Sequence, residues 1–82
     1  MNKTRRTALR KLAVKLKEIN YELQNICADE EDYFDNIPEN LKSGERANES
    51  EEAIGLMQDT SIMLEDVINN IEDLAYRWLY LL

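Results

Sequence analysis

Leu9-Arg10-Lys11-Leu12-Ala13-Val14-Lys15-Leu16-Lys17-Glu18-Ile19-Asn20-Tyr21-Glu22-Leu23-Gln24-Asn25-Ile26 is the stretch on which the fold of this 82-residue chain turns. Its aliphatic residues Leu9, Leu12, Leu16, Ile19, Leu23 and Ile26 recur at alternating spacings of three and four. That heptad pattern belongs to a helix that buries one stripe against another helix. Arg10, Lys11, Ala13, Lys15, Lys17, Glu18, Glu22 and Gln24 fill the gaps with good helix formers. Thr4 is the expected N-cap, and the helix is expected over residues about 4–34.

A second series follows: Ile54, Met57, Ser61, Leu64, Ile68, Ile71, Ala75, Trp78 and Leu82, with Ala47 extending it backwards. It predicts a helix over about 44–81. The turn between, about 35–43, is Asp35-Asn36-Ile37-Pro38-Glu39-Asn40-Leu41-Lys42-Ser43. Pro38 disfavours a helical Ile37, and Ser43 is the expected cap of the second helix. Two heptad helices joined by so short a connection form an antiparallel hairpin. The expected fold is all-α, a coiled-coil-like two-helix hairpin, as one domain over 1–82. Matching the stripes pairs Leu12 with Ile68, Leu16 with Leu64, Leu23 with Met57 and Ile26 with Ile54.

Composition supports the helical reading and narrows the chemistry. Two Gly and one Pro are too few for the turns of a small β protein. The absence of His excludes a His base or His metal ligand, and one cysteine, Cys27, excludes an intramolecular disulfide or a cysteine zinc cluster. Gly44 and Gly55 are isolated, so no phosphate-binding loop is present. The carboxylates stand on helix faces where nothing sets one pKa against another. The expectation is a protein that is not an enzyme and uses no metal or cofactor. The basic start lacks an apolar stretch behind it, and the apolar run from Leu74 to Leu82 is far shorter than the ~20 residues of a membrane span. A cytoplasmic location without a membrane partner is therefore expected, with Cys27 reduced.

One seam cannot use all the apolar surface of these helices. Leu56, Met63, Val67, Leu74 and Leu81 stand beside the second stripe and, with Trp78 near its C-terminal end, are the candidate interface residues. The expectation is a homodimer forming a four-helix bundle, with a docking face for another protein as the sharper alternative.

Charge divides along the chain. Residues 1–17 carry Lys3, Arg5, Arg6, Arg10, Lys11, Lys15 and Lys17 and no acid, although the whole chain has a net charge of −7. Lys3, Arg6, Arg10 and Lys17 are expected on one face opposite the seam, a stripe that a nucleic-acid-binding module could use. No aromatic residue interleaves it, so a solvated face is preferred and nucleic acid is not the expected partner. Around the turn, Asp32, Tyr33, Phe34, Asp35 and Glu39 are candidate contacts, framed by further acids. Tyr33, Phe34, Ile37 and Leu41 are expected to plug the hairpin end. Rival readings are a recognition knob, an acidic nucleic-acid mimic or a structural assembly component.

The stretch Glu31-Asp32-Tyr33-Phe34-Asp35-Asn36-Ile37-Pro38-Glu39-Asn40-Leu41, followed by Ser43-Gly44-Glu45-Arg46, resembles a group of uncharacterised small acidic helical-hairpin proteins. These belong to phages and mobile elements of Gram-positive bacteria. The resemblance implies such an origin, action in the bacterial host cytoplasm, and non-catalytic protein binding such as inhibition of a host defence protein. It carries over no individual functional residue.

Overall fold

The computed structural model describes residues 1–77. Helix α1 runs Lys3–Asp35 and helix α2 runs Glu45–Tyr76, with a single 3-10 turn at Glu39–Leu41 between them. The two pack antiparallel as an all-α hairpin with principal extents of 63 × 16 × 14 Å.

Local chemistry explains the ends. Asn2, not Thr4, caps α1, its Oδ1 accepting from the Arg5 N–H at 2.8 Å. Asn36 closes the same helix and donates from Nδ2 to the Asp32 carbonyl at 2.8 Å. Pro38 is extended (ψ 142°) and ends any helical continuation. The expected cap Ser43 is displaced by Gly44, which holds the N-cap position of α2 without a side-chain bond. The Gly44 N–H donates to the Leu41 carbonyl at 3.0 Å, and a Cβ there would lie 3.1 Å from that oxygen. A side chain there would press the Leu41 carbonyl back by a few tenths of an ångström, so the tight turn favours glycine.

The seam departs from expectation on one helix. On α2 it follows Ala47, Ser50, Ile54, Met57, Ser61, Leu64, Ile68, Ile71 and Ala75, all buried or half-buried, as the spacing predicts. On α1 the buried row is Ala13, Asn20 and Cys27, with Leu9, Leu16 and Leu23 half-buried beside it. Leu12, Ile19 and Ile26, expected in the seam, are 48 %, 51 % and 59 % exposed. The helix is thus rotated by about one position relative to the expected pairing. The Cys27 thiol, not Ile26, reaches the Ile54 carbonyl, at 3.9 Å.

Two physical reasons favour this rotation. Ala13 and Cys27 on α1 and Ala47, Ser61 and Ala75 on α2 are small, so the backbones approach closely and their helix surfaces interlock. The rotation also gives buried Asn20 a partner, since Ser61 Oγ donates to its Oδ1 at 2.7 Å. A core of small residues is a thin one: among the described residues no large side chain is fully buried, and Ile68 is the one large aliphatic residue in the buried class.

Candidate protein-binding face

The hairpin has two broad sides. On one, polar side chains bridge the helices, Lys17 Nζ lying 2.9 Å from Glu72 Oε1 and Gln58 Nε2 donating to Glu31 Oε1 at 3.1 Å, and Tyr21 and Ile62 stand exposed beside these bridges. On the other, Tyr33 of α1 and Arg46 and Ala53 of α2 border one shallow cavity together with Glu30 and Ser50. Stepping by sevens from these residues follows each helix along the same side. On α1 the steps reach Ile26, Ile19 and Leu12, and on α2 they reach Thr60, Val67 and Leu74. Leu56 and Met63 flank the α2 row at three- and four-residue offsets. Leu12, Ile19, Ile26, Tyr33, Leu56, Met63, Val67 and Leu74 are all exposed. The rotation of α1 has therefore moved its aliphatic row out of the seam and onto this face.

Of the sequence-based interface candidates, Leu56, Met63, Val67 and Leu74 share the face, while Trp78 and Leu81 lie outside the described residues. The sequence reading missed the contribution of Leu12, Ile19 and Ile26 because it assigned them to the seam. The signal that could have found them is the small-residue row Ala13, Asn20, Cys27, set one position further on.

The tip candidates separate. Phe34 is half-buried, with the Lys42 ammonium 5.4 Å from its ring centroid, and Ile37 is half-buried beside it. Tyr33 and Leu41 are exposed and border a groove of about 460 Å³ with Ile37 and Pro38. The expected plug is thus formed by Phe34 and Ile37, and Tyr33 continues the apolar face to the turn. Asp32, Asp35 and Glu39 are exposed around it.

The basic stripe is corrected in position. Arg6 and Arg10 are half-buried at the edge of the seam, not opposite it, and their Nε atoms have no hydrogen-bond partner. The Arg10 guanidinium stacks 5.0 Å from the Tyr76 ring centroid, and Lys17 is engaged by Glu72. Of the four residues, Lys3 and Lys17 are exposed, Lys17 in its pair with Glu72.

Cys27 is buried in the seam, where its thiol donates to Glu31 Oε1 at 3.5 Å. Burial pushes its pKa up, and the Glu31 carboxylate raises it further, so the group is a neutral thiol without thiolate character. Among the described residues no three His, Cys, Asp or Glu side chains are grouped to hold a metal ion. No described helix is long and apolar enough to cross a membrane. No family model matches the chain, and no curated protein or solved structure matches it either.

Proposed function

We propose that this chain is a non-catalytic protein-binding hairpin whose working surface is the face carrying Leu12, Ile19, Ile26, Leu56, Met63, Val67 and Leu74. One observation carries the reading: this aliphatic face is uncovered, while the buried residues of the seam beneath it are, apart from Ile68, small or polar. An apolar arc wider than its intramolecular partner marks a surface that binds another protein. The engagement of Arg10 and Lys17 within the hairpin favours this over nucleic-acid binding by the basic stripe. The turn's resemblance to small phage and mobile-element proteins supports a further step, inhibition of a host defence protein in the bacterial cytoplasm.

The test is site-specific photo-crosslinking in cells expressing the chain. A benzophenone residue at Ile19 or Val67 is expected to capture protein, and one at exposed Asp59 on the outer side of α2 is not. Equal capture at all three positions, or none at any, overturns the reading.

A further inference from the structure

The occupant of this face follows from charge and area, granted the reading that the face binds protein. The open end of the hairpin holds Lys3, Arg5, Arg6, Arg10, Lys11, Lys15, Lys17 and Arg77 against Glu18, Glu65, Asp66, Glu72 and Asp73, a net +3. The turn end holds Asp29, Glu30, Glu31, Asp32, Asp35, Glu39, Glu45, Glu49, Glu51 and Glu52 against Lys42 and Arg46, a net −8. The hairpin is therefore a rod with opposite charge at its two ends and an apolar band between them.

We infer that the face binds a second copy of this chain, laid antiparallel so that each basic open end lies over the acidic turn of the other. A two-fold axis at the level of Ile19, the midpoint of α1, superposes the central parts of the two apolar bands. Each α1 then packs on the other α1, Ile19 meets its own counterpart, and Leu12 meets Ile26. On α2 the same axis, which passes the level of the Asn20–Ser61 bond, brings Leu56 to Val67. The parallel alternative stacks α1 on the other α2 and places two turns of charge −8 side by side, which like-charge repulsion opposes.

The area suits this occupant. A face of 63 × 16 Å offers about 1,000 Å², against roughly 800 Å² per partner in a standard stable interface. The accessible surface is 6429 Å², whereas a compact monomer of 9.6 kDa has about 5,100 Å². The excess is of the size that one such interface removes.

The experiment combines solution mass with disulfide capture in a Cys27→Ala background. Light scattering is expected to give twice 9.6 kDa at high micromolar concentration, with dissociation strengthening at least tenfold between low and molar salt. Ile19→Cys is expected to form a disulfide with its own copy, and mixed Leu12→Cys and Ile26→Cys chains a disulfide with each other. A doubled mass in which mixed Ile19→Cys and Thr60→Cys chains join instead, with no Ile19→Cys self-disulfide, overturns the antiparallel arrangement. A mass of 9.6 kDa at every concentration overturns self-association altogether. In that case capture of a foreign protein at Ile19 still upholds the protein-binding reading, and lack of capture sinks that too.

Discussion

Ser61 Oγ donates a 2.7 Å hydrogen bond to Asn20 Oδ1 in the middle of the seam, and Gln24 Nε2 donates to the same hydroxyl at 3.1 Å. This is a buried polar layer within a seam that also holds Leu16, Leu23, Met57 and Leu64. Such a layer specifies register, because a slip of one turn leaves a buried amide facing aliphatic groups. Ser61→Ala strands the Asn20 oxygen and is expected to cost about 1–3 kcal/mol. Replacing both residues, Asn20→Leu with Ser61→Ala, is expected to cost less than Ser61→Ala alone. Urea titrations followed by circular dichroism at one fixed concentration check this, and strict additivity would show that the bond is not formed.

Close approach of the helices makes the small seam residues sensitive to enlargement. Ala75 and Ala47 are 0 % and 1 % exposed. Ala75→Leu is expected to destabilise by about 1–3 kcal/mol through overpacking, although leucine is the better core residue by hydrophobicity. A more stable Ala75→Leu chain would mean that the helices stand further apart.

Leu12 and Leu16 separate folding from association. Leu16→Asp places a charge against the seam and is expected to abolish helix from micromolar to millimolar concentration, at a cost of about 3 kcal/mol or more. Leu12→Asp leaves the seam intact and is expected to remove the concentration dependence of the thermal midpoint while a helical melt remains. Equal damage from both would return Leu12 to the seam.

The Cys27 thiol sets a pH dependence whose sign is fixed by its raised pKa. Below the unfolded value of 9.0 its contribution to stability is fully present, and it is lost as pH rises through the higher folded value. The stability difference between wild type and Cys27→Ala should therefore shift against the wild type as the pH rises above 9.0. Matched urea melts of the two proteins isolate the contribution of this thiol. Reaction with a disulfide reagent at neutral pH should be slow until the hairpin opens.

At the turn, Phe34→Ala is expected to cost about 1–2 kcal/mol, below the range for a fully buried aromatic residue. Tyr33→Ala should cost the isolated hairpin well under that, since the ring is exposed, and should act on association instead. Thermal melts over a range of protein concentrations distinguish the two effects.

The helices and their antiparallel hairpin were legible in the sequence because the heptad spacing of Leu9, Leu16, Leu23 and of the α2 stripe has one physical meaning. The side of α1 that faces α2 was not legible. Leu12, Ile19, Ile26 and Ala13, Asn20, Cys27 each complete a heptad with the same three leucines, and hydrophobicity alone favours the first set. Packing chose the second, through close approach and the Asn20–Ser61 bond, both of which depend on residues distant in sequence. The caps were misplaced for a similar reason: Gly44 is selected by the Leu41 carbonyl beside it, a contact that no local preference for serine reveals. The candidate face was half legible, through Leu56, Met63, Val67 and Leu74 on α2, because their surplus needed no knowledge of the partner helix.

Leu9, Leu16 and Leu23 lie between the buried row of α1 and its exposed row, so each belongs to two surfaces at once. Any change at these positions is judged twice, by the fit within the chain and by the fit to whatever covers the outer face. Drift in the chain should accordingly be slowest there and fastest at outward sites such as Glu18 and Asp59, where neither judgement applies. If the face binds protein as proposed, Leu12, Ile19 and Ile26 can be exchanged without disturbing the hairpin, so the outer row is where new specificity would arise.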